Sequence, residues 1–206
     1  MAKTSTAPAL VPAPLPVPAQ TVLGVPLALT DYSSTLDWID GSIAARHPGY
    51  ICVAAVHTVM ATQEDEELRS AVLASDLTVP DGQPLVWAMN LLGHSLPSRV
   101  YGPDLFMYAC QRAARTGARF YLYGGRETSL ERLRTELPRR YPGLKLAGVE
   151  FAPFRELSDD EAAETVARIN ASSADVVWVG LGVPLQEKWM ARMRERLDAP
   201  VLVGVG

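Results

Sequence analysis

The sequence predicts an α/β protein, a doubly wound, mostly parallel sheet with helices on both faces. Three features of its 206 residues lead there. Short apolar runs alternate with amphipathic stretches from Val25 to the last residue. Most of those runs are apolar at every position, the pattern of strands buried on both faces. The conspicuous glycine and polar clusters each follow such a run, where parallel sheets carry their ligands.

Taken in order, residues 25–29 predict a first strand. Leu36, Ile39 and Ile43, spaced i, i+3, i+7, predict a helix over 33–46. Residues 50–56 predict a second strand, 64–74 a helix, and 76–79 a short strand ended by Pro80-Asp81-Gly82. A helix over 85–92 stops at Gly93, and Pro103 opens another at its favoured first-turn position. Residues 118–123 predict a strand, Gly124-Gly125 a turn, 128–139 a helix and 144–149 a strand. Ser158 and Glu161 form a capping box for the next helix. Residues 176–181 then predict a strand, 184–197 a helix and 201–205 a last strand.

Residues 1–20, with prolines at 8, 12, 14, 16 and 18, predict a disordered or polyproline-like tail. The breaks are too frequent for a secretory signal. Residues 21–206 form one domain. The final Gly204-Val205-Gly206 places a strand and the start of a turn at the very end, so a further C-terminal segment is expected.

Composition narrows the function. Nineteen Lys and Arg against 23 Asp and Glu give a net charge of −4, which does not support nucleic-acid binding. No apolar run approaches the ~20 residues that cross a bilayer. Cys52 and Cys110 sit among apolar neighbours and read as buried reduced thiols. With three histidines and no H-x-x-x-H, Cys/His or Asp-x-Asp spacing, no metal and no cofactor is expected.

The strand ends supply the candidate chemistry. Asp81 is placed to take a proton from an attacking hydroxyl, although an Asp between Pro80 and Gly82 also simply suits a turn. Arg99 offers a bidentate fork to phosphate or serves as a surface cation. Gly124-Gly125, with Arg126 after it, lets backbone approach an anion at a helix start capped by Thr128 or Ser129; a plain tight turn is the simpler alternative. Gly180-x-Gly182 is a fragment of a dinucleotide fingerprint whose third glycine is replaced by Leu185. In the first turn of the helix that follows, Gln186 and Glu187 are expected to be exposed, the amide toward a sugar hydroxyl. His57 and Glu150, at further strand ends, complete the candidates.

In order, Pro80-Asp81-Gly82, Arg99-Val-Tyr101-Gly-Pro-Asp104-Leu, Phe120-Tyr-Leu-Tyr-Gly124-Gly125, Pro153-Phe-Arg-Glu-Leu157, Val179-Gly-Leu-Gly182-Val-Pro-Leu-Gln186-Glu187-Lys-Trp-Met190 and Val203-Gly-Val-Gly206 resemble the WecG/TagA/CpsF family of bacterial glycosyltransferases. The resemblance implies an inverting, metal-independent transfer of a sugar from a UDP-sugar to a polyprenyl-diphosphate-linked sugar. It implies work at the cytoplasmic membrane face, peripherally attached, in exopolysaccharide or cell-wall glycolipid synthesis. Self-association into a homo-oligomer is compatible with it. It places the general base on Asp81 and further catalytic roles on Arg99 and Gln186. His57, Gly82, Tyr101, Asp104, Gly124, Gly125, Arg126, Glu150, Gly182 and Glu187 are the expected substrate contacts.

Three positions depart from the family pattern. Val53 and Ala55 stand where a Thr-x-Asn pair is usual, Leu185 replaces a basic residue, and an Ala-x-Phe-Asp stretch with an appendage is expected after Gly206. His57 is expected to take over acceptor contacts. The alternatives are a truncated, non-catalytic nucleotide-binding fragment and, from Gly180-x-Gly182 alone, an NAD-linked oxidoreductase.

Overall fold

The structure, a computed structural model, describes residues 12–206. Six strands form one parallel sheet: β3 (Gly49–Ala54), β4 (Leu77–Pro80), β5 (Arg119–Gly124), β6 (Lys145–Glu150), β7 (Val176–Gly180) and β8 (Val201–Gly204), in the order β4-β3-β8-β7-β5-β6. Because successive side chains point to opposite faces, alternate residues of each strand build two separate cores. On one face Tyr50, Cys52, Tyr123, Val177 and Leu202 meet α2 (Val56–Ala61), α3 (Glu66–Leu73), α4 (Gln83–Leu91), α7 (Asp159–Ser172) and α8 (Leu185–Met193). On the other, Ile51, Val53, Leu122, Trp178 and Val203 meet α1 (Tyr32–Ala45), α5 (Gly102–Thr116) and α6 (Glu127–Arg140). The doubly wound α/β prediction holds.

The sheet's direction of winding reverses between β5 and β7. The chain leaves β5 for α6 on one face and β7 for α8 on the other. Such a switch point opens a crevice at the carboxyl ends of the two strands.

The sequence expectations need four corrections here. The strand predicted at 25–29 is β2 (Val25–Ala28), which pairs antiparallel with β1 (Ala19–Val22) in a separate hairpin. The Leu23-Gly24 turn has both φ angles positive (49° and 80°), the geometry that folds a strand back on its neighbour. Ala19 and Gln20, expected in the tail, belong to β1; residues 12–18 carry no helix or strand, and residues 1–11 lie outside the described residues. The strand predicted to reach Val56 stops at Ala54, and α2 begins at once. The helix predicted over 184–197 ends at Met193 and tightens into a 3-10 turn, Arg194–Arg196. There the buried Arg194 guanidinium donates to the carbonyls of Gly49, Leu197, Ala199 and Pro200, curling the chain back toward β8. Cys52 and Cys110 are buried and free, as expected.

Candidate active site

Asp81 follows β4 directly. Its N–H donates to Ala54 O at 2.9 Å, continuing the β3–β4 pairing by one residue. On the other side Val100 donates to Pro80 O at 2.8 Å, laying the segment that carries Arg99 along the end of β4. The two residues therefore sit on adjoining segments, near enough for the Arg99 charge to pull the Asp81 pKa down. Arg99 also stacks over the Tyr101 ring, 4.5 Å from its centre. Asp81 is half-buried, and its Oδ1 is shielded without a hydrogen-bond partner. Burial raises its pKa above the usual carboxylate range, against the pull of Arg99, the Gly102 amide and His57. A carboxylate so placed is a better proton acceptor than a solvated one.

His57 lies in the first turn of α2 and acts electrostatically on both Asp81 and Glu187. Gly82 packs against the start of α2, where a Cβ would come 3.4 Å from Val56 N. α5 starts at Gly102 with no side-chain cap; Pro103 has no N–H, and the Gly102 amide is the first-turn donor that faces Asp81. Gly102 touches Val205, the residue just after β8; a Cβ there would stand 3.6 Å from Val205 Cα.

Val205 also walls a largely apolar cavity of about 340 Å³ at the switch point. Leu122 and Gly124 line it from β5, Gly125 from the turn that follows, Trp178 and Gly180 from β7, and Phe106 from α5. Gly124 (φ +90°) lets the strand ends close up, since a Cβ would meet Gly180 O at 2.9 Å. Asp81 and this cavity are about three strand spacings apart, roughly 14 Å along one edge. The α5 N-terminus lies between them.

Several expected contacts fall elsewhere. Gln186 and Glu187, expected to be exposed, are buried at 1% and 0% relative exposure, because α8 turns its first residues under β8. Gln186 accepts from Gly206 N at 2.8 Å and donates to Glu187 Oε1 at 3.0 Å. Glu150 is held by Tyr121 Oη at 2.6 Å and by a fork from Arg168, so its lone pairs are committed. Tyr101 donates its N–H to Tyr32 Oη, and that hydroxyl donates in turn to Asp104, tying both to the start of α1. The cap of α6 is Arg126, with no side-chain bond from Thr128 or Ser129. Arg126 is exposed beside the Gly124-Gly125 turn. Gly182 has open space where a Cβ would stand, but Gly206 packs against the same turn, 2.8 Å from Gly182 N at its own Cβ position. A dinucleotide's diphosphate finds that side closed. Among the described residues no group of three or more His, Cys, Asp or Glu side chains is arranged to hold a metal ion.

The cavity and the Gly102 amide were not anticipated. Pro103 at a helix start was the available signal for the amide; the cavity depends on residues from four separate elements.

The family model described as "Glycosyl transferase WecG/TagA/CpsF family" matches residues 20–206. An N-acetylglucosaminyldiphosphoundecaprenol N-acetyl-beta-D-mannosaminyltransferase of Bacillus subtilis (strain 168) is 26% identical over 190 residues, 91% of this chain and 72% of its own length. The enzyme of the same name from Bacillus spizizenii is 32% identical over 137 residues, 66% of this chain and 51% of its own.

Proposed function

The chain belongs to the WecG/TagA/CpsF family of glycosyltransferases, and from that premise we propose that it moves an N-acetylhexosamine from a UDP-sugar to a sugar on polyprenyl diphosphate. The names of the two relatives support both the transferred sugar class and the lipid-linked acceptor.

The observation that carries the reading is the juxtaposition of Asp81 and Arg99 on adjoining segments at the sheet's carboxyl edge, the edge on which the switch-point cavity also opens. The uridine occupies the cavity. Arg99 and the N-terminus of α5 hold the diphosphate, where cation and helix dipole favour its charge, while the Gly124-Gly125 turn walls the uridine's cavity. His57 and Gly82 face the acceptor sugar. Asp81 takes the acceptor hydroxyl proton as its oxygen bonds to the anomeric carbon. The anomeric C–O bond to phosphate breaks, and its electron pair leaves with UDP. Attack from the face opposite the leaving group inverts the anomeric centre. Arg99 and the α5 N-terminus neutralise the departing charge, the part a metal plays in other transferases.

The acceptor's lipid brings the enzyme to a bilayer surface. No helix among the described residues is long and apolar enough to cross a membrane. Instead α4, which starts two residues after Asp81, exposes Trp87 (65%), Leu91 (89%) and neighbouring Leu92. An exposed Trp flanked by leucines suits contact with a membrane interface, where one end of the ring is apolar and the other wet. We assign this face to peripheral attachment at the cytoplasmic membrane.

The test is a transfer assay with UDP-N-acetylmannosamine and a short-chain polyprenyl-diphosphate N-acetylglucosamine, with and without EDTA. Transfer that survives chelation and inverts the anomer is expected. No transfer from any UDP-sugar, with thermal stabilisation by NAD(H) alone, overturns the reading.

A further inference from the structure

Glu187 is the third residue of α8, wholly buried, and its Oε2 has no partner. An isolated buried carboxyl is costly to keep, so its surroundings bear on what it does. Its Oε1 accepts from the Gln186 amide nitrogen at 3.0 Å, while the Gln186 amide oxygen accepts from Gly206 N–H at 2.8 Å. The two bonds are directional. Flipping the amide would set nitrogen against the Gly206 donor and oxygen against the Glu187 acceptor. The clearance around them is specific. A Cβ on Gly204 would lie 2.6 Å from Gln186 Nε2 and 2.8 Å from Met190 Cε, and one on Gly206 would lie 3.0 Å from Gln186 Oε1.

We propose that Glu187 is a positioning residue of the transfer reaction, which orients the Gln186 amide so that the end of β8 is latched in place. The path to the base is continuous. Gln186 holds Gly206; the adjoining Val205 bonds Val179 O at 2.9 Å, walls the donor cavity and packs against Gly102, whose amide faces Asp81. Burial raises the Glu187 pKa, and an oxygen at Oε1 accepts from the Gln186 amide whether the carboxyl is charged or neutral. The required property is therefore an oxygen at Oε1, not a charge. Glutamine can supply it; leucine, of similar size, cannot.

This rests on the proposed transfer activity, so the experiment has two readouts on the full chain. In the transfer assay E187Q retains most of the wild-type kcat. E187L loses about a hundredfold in kcat with little change in donor KM, the scale of a ~1 Å misplacement of reacting groups. In hydrogen exchange, which needs no substrate, the Gly206 amide is protected in the wild type and E187Q and exchanges faster in E187L. E187L matching the wild type in exchange overturns the latch. E187Q falling as far as E187L in kcat overturns it too, since charge would then be the requirement. If E187L does not fold, Gln186→Met breaks the same latch from its other side and carries the same two expectations. A wild-type protein that transfers nothing sinks the activity reading alone and leaves the exchange result to judge the latch.

Discussion

Val100 donates its backbone N–H to Pro80 O at 2.8 Å, and this bond sets the spacing of their neighbours Arg99 and Asp81. Two segments separated by a helix and a loop are thereby joined at the carboxyl edge of the sheet. The proposed base and the cation beside it are held by backbone, not by a flexible side-chain contact.

Asp81→Asn keeps the shape and removes the proton acceptor. Transfer is expected to fall by about 10²–10⁴, the usual contribution of a general base. UDP-sugar binding, measured by thermal shift, persists. Full activity in this variant removes the assigned role.

The pH dependence follows from the charges around the same carboxyl. Asp81 acts as a base only when ionised, so activity is lost as pH falls through its pKa. Burial raises that pKa, and Arg99 is the largest influence lowering it. Arg99→Met therefore moves the acid limb of the kcat/KM profile to higher pH. A limb that stays put, or moves down, shows that the two groups are not coupled.

A raised carboxyl pKa also has a consequence for stability. The native state favours the protonated form of Asp81, so its contribution to stability declines as pH rises from the unfolded carboxylate range through the raised native value. Asp81→Asn is thus expected to raise Tm at pH 7, and the gain to shrink as pH drops toward about 4, where both states are increasingly protonated. Scanning calorimetry across that range checks the sign. A destabilised variant at neutral pH contradicts it.

Gly124→Ala tests the strand crossing that shapes the cavity. Gly124 sits at φ +90°, and an added Cβ would meet Gly180 O at 2.9 Å. The strained backbone alone costs about 1–3 kcal/mol. Urea unfolding should show the loss, with weaker UDP-sugar binding from the displaced wall. Unchanged stability and affinity would place the donor elsewhere.

Replacing exposed Trp87 and Leu91 by serine probes the assigned membrane face. Sedimentation with anionic vesicles is expected to weaken, and transfer to a long-chain acceptor in bilayers to slow. Transfer to a short-chain, water-soluble acceptor stays near wild type. Equal loss on both acceptors would assign α4 to the active site rather than to lipid.

The repeated apolar runs were legible because strands buried on both faces of a parallel sheet leave no polar alternation to confuse them. Ser158 and Glu161 formed the capping box their spacing predicts, since that bond is local. Local rules failed where partners were distant. The hairpin at 19–28 looked like another sheet strand, because nothing in Val25–Ala28 by itself says which way its neighbour runs. Glu150 looked available until Arg168, 18 residues on, arrived to pair with it. Gln186 and Glu187 sit in a helix's first turn, which is commonly wet, but here glycines at 204, the last residue of β8, and 206, just beyond it, let α8 press them inward.

From the residues alone came the α/β class, the order of nearly all elements and the strand-end positions of Asp81, Arg99 and the glycine turns, since period and breakers act over a few residues. Only the folded chain decided which strand ends become neighbours, that the cavity opens between β5 and β7, and which acidic groups stay unpaired. Those outcomes depend on the order of strands across the sheet, and strand order is a matter of long-range packing that no local pattern encodes.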